Sequence, residues 1–98
     1  MAKYLALWKI DQTRIPIDPK ERGAAWSALM ALVKKNLKAG LTKDWGAFVG
    51  ETGGYAIYEG TELEVMKNIQ QYIPFAAFQV HPIASVDQVI EMIKSLSK

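Results

Sequence analysis

The sequence predicts an α+β fold in which four strands form one antiparallel sheet and the helices lie on one side of it. Three segments begin with an N-cap residue followed three positions later by Glu or Gln, a pattern typical of helix starts. Four other segments have the composition of strands. The second and third of these are joined by residues 50–53, a connection of hairpin length, whereas the other strand pairs are joined through helices.

The first helix is predicted to begin after Asp18, with Pro19 at its first position and Glu21 at its third, and to run to about residue 39. Gly40 then suits the left-handed residue that commonly ends a helix. A second helix is predicted over about 62–72, after the N-cap Thr61. A third is predicted from the N-cap Ser85 nearly to residue 98. Its predicted apolar stripe consists of Val86, Val89, Ile90, Ile93 and Leu96.

Strands are predicted near residues 4–10, 41–49, 54–59 and 75–83. The order strand, helix, strand, strand, helix, strand, followed by one more helix, is the ferredoxin-like split βαβ pattern. It predicts the spatial strand order 4-1-3-2, right-handed crossovers and helices on one face of the sheet. Residues 1–98 are predicted to form a single domain.

Composition limits function mainly by exclusion. The chain has 98 residues, a net charge of +2 and no cysteine, which removes disulfides, thiolate metal sites and cysteine nucleophiles. His81 is its one histidine and cannot build a His-rich metal site, so we expect neither a metal nor another cofactor. Because the apolar and like-charged runs are short, we expect a cytoplasmic protein with no membrane partner, and no basic run in the sequence favours a nucleic acid as partner.

Alternation along the strands assigns their residues to two faces. The face predicted to lie under the helices contains Leu5, Leu7, Gly46, Phe48, Gly54, Ala56, Ala76, Phe78 and Val80. The other face, with no helix left to cover it, is predicted to carry Tyr4, Ala6, Trp8, Ile10, Trp45, Ala47, Val49, Tyr55, Ile57, Glu59, Phe75, Ala77, Gln79 and His81. Its large aromatics would expose roughly 600–1,000 Å², which soluble monomers rarely do. We therefore expect a homodimer that packs sheet to sheet, or a higher homo-oligomer.

Four segments carry a resemblance that covers nearly the whole chain. They are Lys3-Tyr4-Leu5-Ala6-Leu7-Trp8, Trp45-Gly46, Gly53-Gly54-Tyr55-Ala56-Ile57-Tyr58-Glu59 and Phe78-Gln79-Val80-His81-Pro82-Ile83. Together they resemble an uncharacterised domain family of the dimeric α+β barrel superfamily. The resemblance implies a ferredoxin-like protomer and a sheet-to-sheet dimer that encloses a pocket. That superfamily includes muconolactone isomerases, cofactor-free monooxygenases of the antibiotic-biosynthesis type and haem-binding chlorite dismutases.

Two titratable residues on the face predicted to be uncovered are candidates for catalysis. His81 could act as a general base, or could instead bond to the backbone at the sheet edge. Glu59 could shuttle a proton, or could instead favour the N-terminus of the following helix. In the predicted strand order they lie two strand spacings apart, ~9–10 Å between backbones. We therefore expect no direct ion pair between them within one chain.

Trp8, Trp45, Tyr55 and Gln79 are the predicted ligand-binding residues, because aromatic walls with a few polar groups suit a small, partly apolar ligand. The expected function is that of a homodimer with an inter-sheet pocket that could carry out cofactor-free proton transfer, as an isomerase or a monooxygenase-like enzyme. The alternative is a non-catalytic binding or structural dimer. An RNA-binding module is less favoured. Residues 54–56 echo the third-strand motif of RNA-recognition domains, but the acidic end of that strand would repel phosphate.

Overall fold

The fold is described from a computed structural model that covers residues 2–50 and 52–97. The described residues form four strands, β1 (Lys3–Ile10), β2 (Thr42–Ala47), β3 (Gly53–Glu59) and β4 (Ala76–Ile83). They also form three α-helices, α1 (Pro19–Ala39), α2 (Glu62–Gln70) and α3 (Val86–Ser95), and a 3-10 helix at Gln12–Arg14. Glu51 in the predicted hairpin connection, and Lys98 at the predicted end of the third helix, lie outside the described residues.

The four strands form one antiparallel sheet in the order β2-β3-β1-β4. This is the predicted order 4-1-3-2 counted from the opposite edge, so the predicted α+β class and strand order are confirmed. The arrangement is compatible with a ferredoxin-like fold carrying an extra C-terminal helix. Of the residues described, none belongs to a helix with both the length and the apolar character that a membrane crossing requires.

The three predicted helix starts are confirmed. They could be predicted because capping depends on residues that are close in sequence. The Asp18 carboxylate accepts a hydrogen bond from the Glu21 amide, and Thr61 and Ser85 each close a capping box. Gly40 ends α1 with a φ of 97°. At its C-terminal end α2 is two residues shorter than predicted, because a turn over residues 71–75 leads into β4.

The predicted faces are correct for β3 and β4 and wrong for β1 and β2. Tyr4, Ala6 and Trp8 lie under the helices, where they are 9%, 0% and 5% exposed. Residues directly opposite each other in a sheet share a face, and Ala6 lies opposite Ala56 and Val80. Leu5 and Leu7, predicted to be covered, therefore lie on the uncovered face.

Strand β2 is inverted in the same way. Trp45 lies opposite Ala56 and therefore faces the helices, whereas Gly46 lies opposite Tyr55 on the uncovered side. The register shifts between Thr42 and Asp44, which also lets Thr42 point into the core. The aromatic-rich surface that the sequence predicts for a dimer interface is thus largely the protein's own core.

Two buried clusters join the helices to the sheet. Beneath α2, Val65 packs with Tyr4, Ala6, Ala56 and Tyr58. Beneath α1, Val33 packs with Tyr72 and Ala76. Asn36 links α1 to the turn before β4 in the second cluster. Its side-chain amide donates to the Tyr72 hydroxyl (2.7 Å) and to Oε1 of Gln71 (3.0 Å).

The third helix takes no part in either cluster. Every residue from 81 to 97 is exposed, although α3 begins with a complete capping box. The principal extents of the molecule are 62 × 26 × 19 Å. The apolar stripe predicted for this helix is therefore present but not covered by its own chain.

Candidate functional site

The candidate site lies on the sheet face opposite α1 and α2. Strand pairing places three side chains of the middle strands at its centre, namely Leu5, Leu7 and Ile57. Polar side chains lie towards the two edges of the face: Asp44 and Tyr55 on one side, Gln79 and His81 on the other. The uncovered face thus has an aliphatic centre between two polar borders.

The register aligns these groups in rows that cross the sheet. In one row, His81 of β4 lies opposite Leu5 of β1, Leu5 lies opposite Ile57 of β3, and Ile57 lies opposite Asp44 of β2. In the adjacent row Gln79 lies opposite Leu7, and Leu7 lies opposite Tyr55. A ligand lying along these rows would contact polar groups at both ends and aliphatic side chains between them.

Tyr55 and Asp44 form the one hydrogen-bonded side-chain pair found on this face among the described residues. The Tyr55 hydroxyl donates to Oδ2 of Asp44 (2.8 Å), and Oδ1 of Asp44 accepts from the Trp45 amide (2.9 Å). The hydrogen bond to Asp44 is the main cause that raises the pKa of Tyr55, with smaller contributions from desolvation and from the carboxylate charge. Tyr55 is therefore held as a protonated phenol.

Gly46 makes this pair possible. A Cβ at Gly46 would lie 2.5 Å from Cε1 of Tyr55, so the ring rests against the glycine on its way to Asp44. Aromatic side chains commonly cover a cross-strand glycine in this manner. Asp44 was not predicted as a site residue. The sequence signal that points to it is Gly46, two residues later, which the hairpin places opposite Tyr55.

His81 and Glu59 lie on the uncovered face, as predicted, but they are not neighbours. His81 is exposed on the edge strand β4, and Glu59 is half-buried at the end of β3, two strands away and one row along. Two strand spacings amount to ~9–10 Å between backbones. Within the described part of the chain no ion pair joins them.

The prediction that Trp8 and Trp45 lie on this face is wrong. Their rings stack on the helix side with centroids 5.1 Å apart and planes 11° apart. Trp8 still touches the site through the sheet, because its Nε1 donates to the Tyr55 carbonyl oxygen (3.1 Å). Phe75 is not on the face either. It lies in the turn before β4, with the Arg14 guanidinium 5.9 Å from its ring centroid.

The helix side of the sheet carries an open apolar groove that the sequence did not predict, here called the α1 groove. Its volume is about 350 Å³, and it runs between the first half of α1, the segment after β1 and the turn before β4. Its lining is mostly apolar and includes Ile10, Ile15, Ala25, Trp26, Ala28, Leu29, Tyr72 and Phe75, with Arg14, Arg22 and Gln71 as its polar members. No predicted site residue lines it, so the α1 groove and the uncovered face are separate features.

No protein-family profile matches this chain, and no curated protein matches it either. The assignment of the fold therefore depends on the observed sheet and helices, which are compatible with a ferredoxin-like α+β domain.

Proposed function

We propose that the protein works as a homodimer of the dimeric α+β barrel type, in which the uncovered faces of two copies enclose a site for a small, partly apolar molecule. The observation that carries this proposal is the aliphatic centre of the face, Leu5, Leu7 and Ile57, set between Tyr55–Asp44 and Gln79–His81. The resemblance of four sequence segments to that superfamily supports the same arrangement.

The composition of the face favours a second copy as its cover. Its central side chains are aliphatic and lie on the side of the sheet that no helix covers, where Leu7 is 36% exposed. A sheet face can be covered by its own copy about a two-fold axis, which brings the aliphatic centres together. The polar borders then lie around the edge of the shared space, where they can orient a ligand.

The chemistry proposed for the site is cofactor-free proton transfer. Tyr55 offers an O–H donor whose proton is directed at Asp44, and His81 offers an imidazole that can accept a proton from a bound molecule. Glu59 is too far from His81 to relay that proton within one chain. A ligand spanning the face could contact both borders. A non-catalytic binding dimer is the second candidate, and it uses the same face without turnover.

The dimer is tested by light scattering on three chains. The unsubstituted protein is expected at no less than twice the chain mass of 10.9 kDa at micromolar concentration. Leu7→Glu should raise the dissociation constant of the sheet-to-sheet contact at least tenfold, because it places a charge in the centre of that interface. Lys35→Glu, on an exposed position of α1, should leave the constant unchanged. A monomeric unsubstituted protein would contradict the proposal.

The site itself is tested by native mass spectrometry of freshly purified protein. A retained small molecule should add mass to the dimer, and the adduct should be lost in Ile57→Lys. An adduct that survives this substitution would place the ligand outside the proposed site. If a reaction of the bound molecule is found, His81→Ala should abolish turnover and leave the dimer folded. Binding without turnover in both the unsubstituted protein and the His81→Ala variant would favour the non-catalytic candidate.

A further inference from the structure

Helix α3 exposes an apolar stripe that needs a partner. Val86, Val89, Ile90, Ile93 and Leu96 recur at helical spacing and are 41–75% exposed. Glu91 and Lys94, away from the centre of the stripe, form a solvent-exposed ion pair (3.6 Å). An isolated helix of this length is marginal in water. A ten-residue helix with one wholly apolar side therefore gains stability only by docking that side.

The α1 groove has the shape and chemistry to receive such a helix. It is an open concavity of about 350 Å³ on the helix side of the sheet. Ala25 and Ala28 line it with methyl groups, which allow another helix backbone to approach closely, and the larger side chains of Trp26 and Phe75 stand beside them. Trp26 is 36% and Phe75 58% exposed, so the lining is open to solvent in the single chain. An amphipathic helix in an apolar groove is a recurring mode of recognition.

The two surfaces lie at opposite ends of the sheet. The α1 groove includes Ile10 and Ala76, which are paired at the end of β1. Helix α3 follows Ile83, which is paired with Lys3 at the start of β1. Strand β4 separates these ends by about 25 Å. Only two residues connect β4 to α3, and the helix does not return over its own groove. A single chain therefore leaves both surfaces uncovered.

We propose that α3 of each chain docks in the α1 groove of a second copy, so that two chains exchange their C-terminal helices reciprocally. Each partner then contributes one stripe and one groove, which closes the assembly about a two-fold axis. Burying a stripe of five aliphatic side chains at on the order of 100 Å² each in each of two reciprocal contacts removes roughly 1,000 Å² from water before the groove lining is counted. That area is what a stable interface requires. The exchange does not depend on the small-molecule site.

Cross-linking tests the exchange, because the chain has no cysteine of its own. A chain carrying Ala28→Cys is mixed with a chain carrying Ile90→Cys and treated with a short bismaleimide. The product should contain one copy of each chain. Ala31→Cys is the matched control, since Ala31 is exposed on α1 but does not line the groove. It should give at least tenfold less product with Ile90→Cys.

Two results of this experiment would overturn the exchange. One is equal yield from Ala28→Cys and Ala31→Cys. The other is an intrachain product in a dilute chain carrying Met66→Cys and Ile90→Cys, which would place α3 on the exposed side of its own α2.

Acrylamide quenching of Trp26 gives an independent measurement, because this is the most exposed of the three tryptophans. In the unsubstituted protein at micromolar concentration Trp26 should be shielded. Ala28→Glu and Ile93→Glu should each raise the quenching constant at least twofold, and Ala31→Glu should not. If Ala28→Glu unshields Trp26 and Ile93→Glu does not, a free amphiphile rather than α3 occupies the groove and the exchange is wrong. Leu7→Glu should leave Trp26 shielded, which separates this proposal from the sheet-to-sheet dimer.

Discussion

Gly54 decides how β1 packs on β3. A Cβ at this position would overlap the Gly46 carbonyl oxygen and the six-membered ring of Trp8, so the indole lies flat across the glycine. Gly54→Ala should therefore lower the free energy of unfolding by about 3 kcal/mol, as overpacking of a core does. The urea midpoint measures this change.

Gly23 is the matched control for Gly54. It lies in α1, and a Cβ there would meet nothing within 4 Å. Gly23→Ala should raise the stability by about 0.5–1 kcal/mol, because alanine loses less conformational entropy in a helix. Equal midpoints for the two alanine variants would show that the Trp8 contact does not limit position 54.

The sequence does not reveal which side of β1 is buried. All positions from Tyr4 to Trp8 are apolar, so alternation along this strand does not distinguish core from surface. The information lies in the partner strand. Small residues at Gly54 and Ala56 leave room that large side chains of neighbouring strands must fill, but this requires the register, and register is a tertiary property. His81 could be placed correctly because polar and apolar residues alternate along β4, and Tyr55 because the small residues 54 and 56 alternate with large ones at 55 and 57.

At the scale of single elements, helix starts are the features most accurately predicted. The capping box of α2 is an example: the Thr61 hydroxyl accepts from the Glu64 amide (3.2 Å), and the Glu64 carboxylate accepts from the Thr61 amide (2.9 Å). Thr61→Ala should cost about 1 kcal/mol of stability at neutral pH, whereas Thr61→Ser should cost little because it keeps the hydroxyl. Urea unfolding of the three chains tests this, and identical midpoints would mean that the cap is not coupled to global folding.

The cap also has a defined pH dependence. The hydrogen bond from the Thr61 amide is the main cause that lowers the pKa of Glu64 below its ordinary value of 4.5. A pKa that is lower in the folded state means that the folded protein favours the carboxylate, so the contribution is complete above pH 4.5 and is lost as the pH falls through the lowered value. Glu64→Gln should therefore flatten the acid limb of the stability profile, and an unchanged limb would exclude this contribution.

Helix α3 shows what sequence alone leaves open at this scale. Its N-cap and its apolar stripe follow from residues within one segment, and both are found as predicted. A stripe indicates which side of a helix must be covered. It does not indicate which surface covers it, because that depends on where β4 ends relative to the rest of the fold.

At the scale of the whole molecule, adjacent residues of β1 should respond to charge in opposite ways. Ala6 is 0% exposed between Ala56 and Val80, whereas Leu7 faces solvent on the uncovered side. Ala6→Glu should unfold the chain, since an unpaired buried charge costs several kcal/mol. Leu7→Glu should retain the native circular dichroism spectrum. A folded Ala6→Glu chain would mean that the assignment of the two faces is wrong.

Buried tyrosines should make the fold sensitive to alkali. Burial raises the pKa of Tyr58 and of Tyr72, and the charge of Tyr72 adds to the shift of Tyr58. A pKa raised above its ordinary 10.0 means that the unfolded chain loses these protons first, so stability is complete below pH 10.0 and falls as the pH rises beyond it.

The melting temperature should therefore decline steeply above this pH and less steeply in Tyr58→Phe. Thermal unfolding followed across the alkaline range measures both slopes. The same decline in both chains would contradict the assignment to Tyr58.

The stacked pair Trp8 and Trp45 gives the protein an internal optical marker. The two indoles belong to β1 and β2, which are not adjacent because β3 lies between them, and their rings meet only when all three strands are in place. Because aromatic chromophores 5.1 Å apart couple their electronic transitions, we expect the two indoles to give an exciton couplet in the circular dichroism spectrum. That couplet reports on strand order rather than on strand content. Followed during refolding, it would time the docking of β2 separately from the formation of the backbone hydrogen bonds.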